Sequence, residues 1–415
     1  MRLKLSWELM SGLEATYGDS FYLLHPDAFE ANYTRFLAAF RKYYPNTSLA
    51  YSYKTNYTPL LCRLVSDWGG YAEVVSRMEY DLASRLGVSP SKIIYNGPGK
   101  PAPDIETALL AGSMVNIDAS REMSIVEAVA HRHSDRQMTV GVRCNFDIGT
   151  GQTSRFGLDA EGGDVEAAIR RLGDLANCSV AGLHCHFATP DKRVEMYALV
   201  ATRMLELAAR AFPDQPPKFI DLGGGFFGPM LPELERQFDR PAPTYDDYAR
   251  AIAPAFAQAF GDGSGPELLL EPGMALTADV MQFVARVTDV KTIRARTVAL
   301  VSASMYDVKP TLHTKNLPLS VIPAADQGDP PSAVTDVDIV GSTCMEHDVL
   351  FRSYSGPLAV GDYVVFSNVG AYTTVLRPPF INPSPPMVAY DSATGGFEVV
   401  KRTQTADDLF STYKL

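Results

Sequence analysis

Between Ser48 and Gly273 eight short β-rich runs alternate with amphipathic helical stretches, and no other feature narrows the chain's possible folds as far. The β-rich runs are SLAYSYK ending at Lys54, YAEVVS at Ser76, KIIYNG at Gly97, MVNID at Asp118, MTVGVRCN at Asn145, SVAGLHCHF at Phe187, KFIDLGGG at Gly225 and ELLLEPG at Gly273. Segments between them, such as MEYDLASRLG, DIETALLAG and DVEAAIRRLGDLA, repeat apolar residues at helical spacing. The alternation predicts an α/β fold, a closed (β/α)8 barrel of about 250 residues whose working groups sit at the C-terminal strand ends. A doubly wound open sheet is the rival arrangement.

After about Met281 the pattern changes to strand-like runs without helices: FVARVTDVKTI, TVALVSAS, LPLSVIPA, DVDIV, DYVVFSNV, MVAYD and FEVV. These predict a separate C-terminal β-sandwich or β-barrel domain over 281–415, following a barrel over 26–280. The stretch ADQGDPPSAVTD reads as a mobile loop within it, and RPPFINPSPP as rigid irregular chain.

With 415 residues, 46% of them hydrophobic, the chain can bury a core for two domains. Its 48 acidic and 37 basic residues give a formal charge of -11, which argues against a nucleic-acid partner. Glu8 interrupts the basic start before a signal-length apolar stretch appears, and no run reaches the roughly 20 apolar residues of a membrane helix. A soluble protein without a membrane partner is expected. Five cysteines without paired spacing suit a reducing cytoplasm. Cys185 stands between His184 and His186, but adjacent strand residues face opposite ways, so no metal site is expected there.

Several residues stand where a barrel would present chemistry. Lys54 ends the first strand, although a lone strand-end lysine is more often simply solvated. Gly223, Gly224 and Gly225 remove every β-carbon from one turn and could let backbone N–H groups approach a phosphate, or could form a plain turn. The GPGK at Gly97 to Lys100 lacks the spacing of a P-loop. Glu271, before Pro272 and Gly273, could hydrogen-bond a protonated pyridine nitrogen or serve as a structural cap. His186 could lie flat on a ring or be a core histidine. Cys344 in GSTCMEHD and Tyr372 in GAY flank β-domain strands, and neither stands out alone.

In order along the chain, YKTN around Lys54, AEVVSRMEY, RFG at Arg155 to Gly157, HCH, GGG, EPG, TC-x-x-x-D and GAY resemble the fold-type III decarboxylases dependent on pyridoxal 5'-phosphate (PLP). That group contains diaminopimelate and eukaryotic ornithine decarboxylases, and the resemblance runs from about Tyr22 to Pro386. It implies an alanine-racemase-like barrel, with residues 1–25 joining the β domain. It also implies that Lys54 holds PLP as a Schiff base, that His186 stacks on the ring and that Glu271 pairs with its nitrogen. Gly223 to Gly225 and Tyr372 would hold the phosphate, with Thr189, where serine is frequent, adding a hydroxyl. Glu73, Arg143 and Gly273 complete the implied cofactor set. Cys344 would reprotonate the α-carbon, reaching the site from the second subunit of a homodimer.

Two departures bear on substrate. Met274 follows EPG where the family usually has arginine, and Met345 follows the catalytic cysteine where Asp or Glu usually reads a distal substrate amine. Losing a buried acid facing an ammonium removes discrimination of a few kcal/mol. A conjugated, acylated or side-chain-neutral amino acid is therefore expected, as in siderophore or other specialised-metabolite assembly, with Met274, Met345, Glu346 and Tyr372 around it and Glu346 or His347 supplying compensating polarity. The alternatives are a free diamino-acid decarboxylase, an amino-acid racemase on the same scaffold, and a catalytically inactive regulatory homologue. A dehydrogenase of the dinucleotide-binding class lacks its Gly-x-Gly-x-x-Gly turn after an early strand.

Overall fold

The structure, a computed structural model, describes residues 3–151, 153–261, 264–312, 314–324 and 333–414. It divides into two compact units.

The first unit, 32–227 and 243–275, contains the barrel. Its strands are β1 (Thr47–Ser52), β2 (Tyr71–Val74), β3 (Ile93–Tyr95), β4 (Met114–Ile117), β5 (Met138–Asn145), β6 (Cys178–His184), β7 (Phe219–Asp221) and β8 (Glu267–Leu270). All pair in parallel. β8 meets β1 through Leu268↔Thr47 and β4 meets β5 through Val115↔Val140, so the eight-stranded ring closes and the open-sheet alternative is excluded. Ala50, Ile94, Ala181, Phe219 and Leu269 cluster in its interior. Strands buried on both faces need continuous apolar runs, which LLL at 268–270 and the buried pattern of β1 supply.

The helices start and face inward for local reasons. Ser76 accepts the Glu79 N–H at 3.2 Å and caps Arg77–Arg85 directly after β2. Thr244 and Asp247 form a reciprocal capping box that starts Tyr245–Phe260. In Val194–Ala211, Met196, Val200, Met204, Leu207 and Ala208 fall on one buried face.

The regular strands stop short of the chemistry that the sequence places on them. β1 ends at Ser52 and Lys54 rides on a 3-10 turn, Tyr53–Thr55. β6 ends two residues before His186, β7 before the glycine triplet and β8 before Glu271. Beyond the barrel rim the chain leaves the hydrogen-bonded ladder, and side chains there are released from strict alternation.

The second unit comprises 1–31, 228–242 and 276–415. Among the described residues nine strands join in one mixed sheet. Ser20–Leu24 pairs antiparallel with Met281–Ile293 and parallel with Met387–Tyr390, which ties the N-terminal segment into this unit. Residues 228–242 are held there too, through Leu231 N–H to Asn368 Oδ1 at 3.2 Å and Gln237 Nε2 to Asn316 O at 2.6 Å.

One strand, Val349–Pro357, has no counterpart among the sequence-derived runs. Its exposure does not alternate, Ser353 takes a φ of 56°, and its register with Ala333–Val340 shifts three times, so the period-2 signal is lost. Of the expected loop ADQGDPPSAVTD, residues 325–332 lie outside the described residues, and 333–336 belong to a strand. Residues 377–386 form no regular element. Among the described residues no helix is long and apolar enough to cross a membrane.

Candidate active site

The C-terminal ends of the barrel strands surround a cavity of about 810 Å³, lined by Lys54, Glu73, Asn96, Arg143, His184, His186, Thr189 and Glu271 among others. That size lies within the range of about 300–1,000 Å³ usual for small-molecule sites.

Lys54 Nζ forms an ion pair with Glu73, at the end of β2, and donates to Ser52 Oγ at 3.4 Å. Glu73 is buried, so the pair fixes the amine in the cavity wall. The other Glu73 oxygen accepts from Asn96 Nδ2 at 3.1 Å. Asn96 also donates to Glu271 Oε1, and its own Oδ1 accepts from Asn116 Nδ2 at 2.7 Å. One amide just past β3 thus bridges two buried carboxylates carried by the strands on either side of β1.

Glu271 is 2% exposed, with His184 Nε2 3.4 Å from Oε1. That separation is within ion-pair range, yet neither His184 nitrogen makes a hydrogen bond among the described residues. Burial raises the Glu271 carboxyl, but His184 and Lys54 outweigh it and hold it below the usual range. The group is an anion. His186 has its Nδ1 occupied by the Gly224 N–H at 2.9 Å. Burial first, then the Lys54 charge, lowers this imidazole to about 3, so it is neutral with its proton on Nε2.

The glycine triplet follows β7 with φ of 67° at Gly223 and 95° at Gly225, a left-handed backbone that favours glycine. A β-carbon on Gly224 would lie 2.1 Å from Glu271 O, and one on Gly223 2.5 Å from Cys185 O. Gly273 is required for packing, since its β-carbon would meet Thr55 Oγ1 at 2.0 Å, beside the Lys54 turn. Arg143 pairs with Asp118 at 3.1 Å and donates to His186 O at 3.3 Å. Thr189 Oγ1 is buried without a partner among the described residues.

An anchored amine, a neutral imidazole, a buried carboxylate anion, a side-chain-free turn and an unpartnered hydroxyl fit an aromatic aldehyde that carries a phosphate and a ring nitrogen. Met274 opens the short helix Met274–Thr277 after Gly273 and is half-buried.

Cys344, Met345, Glu346 and Tyr372 belong to the other unit. Cys344 and Glu346 are exposed, while Met345 and Tyr372 are half-buried. The Cys344 loop is organised by Asp348, 2% exposed, which accepts from Met305 N at 2.7 Å, Thr343 N at 3.2 Å, Thr343 Oγ1 at 2.5 Å and Ser304 Oγ at 3.2 Å. Tyr372 takes a φ of 58°, unusual for a bulky residue.

Sequence reasoning passed over Asn96, Asn116, Asp118 and Asp221, and met His184 only in the question of a metal. A signal was present: each is a polar residue within, at or just past the C-terminal end of a largely apolar strand.

Residues 30–278 match the family model described as pyridoxal-dependent decarboxylase, pyridoxal binding domain. The chain is 26% identical over 394 residues to diaminopimelate decarboxylase of Archaeoglobus fulgidus, covering 92% of this chain and 90% of that one. It is 25% identical to the L-glutamyl-[BtrI acyl-carrier protein] decarboxylase of Niallia circulans, covering 97% and 95%. Among solved structures, diaminopimelate decarboxylase of Methanocaldococcus jannaschii superposes with a TM-score of 0.86 at 24% identity, over 97% of this chain and 94% of that one.

Proposed function

This chain belongs to the pyridoxal-dependent decarboxylases, PLP enzymes acting on amino acids, and on that premise we propose both roles for its site residues and a class of substrate. Bound PLP supplies an electron sink for the pair left on the α-carbon when carbon dioxide departs. Lys54 would hold it covalently, with His186 at its ring and Glu271 at its nitrogen. Thr189, Gly223 to Gly225 and Tyr372 take the phosphate, while Glu73 and Arg143 fix the groups around it. Cys344 returns a proton to the α-carbon. We place it in the site of the partner subunit of a homodimer, working in the cytoplasm.

The substrate is a conjugated, acylated or side-chain-neutral amino acid in specialised metabolism, siderophore assembly included. The observation that carries this reading is the pair of methionines, Met274 and Met345, at positions where a charged substrate would need Arg and an acid. Two further facts support it. Beyond Lys54, Glu73, Arg143 and Glu271, the charged residues among the described lining of the cavity are Asp191 and Arg193, which pair with each other at 2.6 Å. The Niallia circulans relative is named for a carrier-linked glutamyl substrate. Decarboxylation of a free diamino acid is the second reading, favoured by the names of the diaminopimelate decarboxylases and by exposed Glu346 and His347 beside Met345.

Release of carbon dioxide from free diaminopimelate, ornithine and arginine, measured beside acylated and thioester-linked amino acids, tests the proposal. Turnover at least about tenfold faster on a conjugate is expected, from loss of a charge-assisted contact. Fast turnover of a free diamino acid contradicts it.

A further inference from the structure

Three side chains at neighbouring strand ends meet beside the cavity: His184 at the end of β6, Asp221 at the end of β7 and Glu271 past β8. They are 1%, 0% and 2% exposed, and one ligating atom from each lies within 4.8 Å of the others. His184 and Glu271 line the cavity, and Asp221, next to them, is fully buried. Asp221 Oδ1 accepts the Gly223 N–H at 2.8 Å, but Oδ2 has no partner among the described residues. The nearby ionisable groups around the cluster are Lys54, Glu73, Cys185, His186 and Arg143.

Two carboxylates buried this close cannot both remain ionised without a large electrostatic cost, so the pair shares a proton. The donors are distributed unequally. Glu271 has the Asn96 amide and the adjacent His184, whereas Asp221 has one backbone N–H. An acid left with an unpartnered oxygen is the better place for the proton, because protonation turns that oxygen into a donor.

We propose that Asp221 holds the proton, on Oδ2, and that with His184 it acts as a positioning residue keeping Glu271 ionised and oriented. The inference deepens the assignment of Glu271 to the cofactor's ring nitrogen and rests on it. Burial and the neighbouring Glu271 charge push the Asp221 carboxyl well above its ordinary range, in agreement. Asp221 also holds the glycine turn through Gly223, so one residue ties the two ends of the cofactor site together.

Infrared difference spectra of the holoenzyme, wild type minus Asp221→Asn at neutral pH, are expected to show the C=O stretch of a protonated carboxyl. Its absence, or its appearance only in wild type minus Glu271→Gln, overturns the proposal. Cofactor affinity gives a second readout. Asp221→Ala is expected to weaken it about tenfold or more, and Asp221→Asn, which keeps an acceptor for Gly223 and supplies a permanent donor, to recover most of that loss. Asparagine no better than alanine also overturns it. Glu271→Gln separates the two levels of the argument. Unchanged cofactor absorbance and affinity in that variant remove the assignment of Glu271 to the ring, whereas altered absorbance with no Asp221 carboxyl band removes the proton assignment alone.

Discussion

Asn96→Ala removes the amide that bridges Glu73 and Glu271. In the native protein the Asn96 side chain is 3% exposed and makes three hydrogen bonds, two as donor to buried carboxylates and one as acceptor from Asn116. A hydrogen bond to a charged group contributes about 1.5–3 kcal/mol, and an orphaned buried donor costs about 1–3 kcal/mol. Glu73 keeps its Lys54 partner, so the loss falls mainly on Glu271 and on the Asn116 amide. Water entering from the cavity offsets part of it, leaving a destabilisation of about 2–4 kcal/mol. Equilibrium denaturation measures that term directly. Because Glu271 loses its orientation, cofactor affinity is expected to fall about 10- to 100-fold by fluorescence titration, as a loss of roughly 1.4–2.8 kcal/mol requires. Asn116→Ala, which takes away one bond between neutral amides, should cost about 1 kcal/mol. An Asn96→Ala protein within about 0.5 kcal/mol of wild type, with undiminished affinity, would refute the bridge as an energetic link; such small changes are usual only for surface substitutions.

Other perturbations test separate parts of the site. His186 is lowered to about 3, below the roughly 6.5 of an unfolded histidine, so its contribution to stability is present above pH 6.5 and is lost as pH falls toward 3. Denaturation of the apoprotein across that window should show a slope of up to about 1.4 kcal/mol per pH unit that His186→Phe reduces. Asp348→Ala deletes an acceptor of four hydrogen bonds and should cost about 3 kcal/mol by urea denaturation, while Asp348→Asn should cost less. Of the five thiols, Cys344 is exposed and the other four are buried, so a thiol reagent should titrate one group per native chain and none in Cys344→Ser. Gly224→Ala should abolish measurable cofactor binding, since its β-carbon falls 2.1 Å from a backbone oxygen that cannot yield cheaply; full binding would show the turn to be adaptable.

The barrel was legible because short, largely continuous apolar runs, as strands buried on both faces require, recur between stretches of helical period all the way from β1 to β8. Lys54, His186, Glu271 and the glycine triplet could be picked out because each ends such a run. Asn96 could not, since in KIIYNG an asparagine before glycine reads as a turn residue and its two carboxylate partners lie 23 and 175 residues away. Asp221 looked like an ordinary polar position within KFIDL, and only its burial beside Glu271 gives it chemical interest. The strand Val349–Pro357 escaped because bulges break its alternation. Asp348 was visible as a motif member, but its hold on the Cys344 loop depends on Ser304 and Met305, far upstream in the chain.

The central claim is that Lys54 carries the cofactor in a site the barrel has already shaped. Absorbance spectra of the purified protein with added PLP, recorded for wild type and Lys54→Ala, test it most directly. The wild type should show the band of a lysine-bound cofactor, and Lys54→Ala should show only the spectrum of the free or non-covalently held aldehyde. The same lysine-bound band in Lys54→Ala, or none in either protein, would contradict the account.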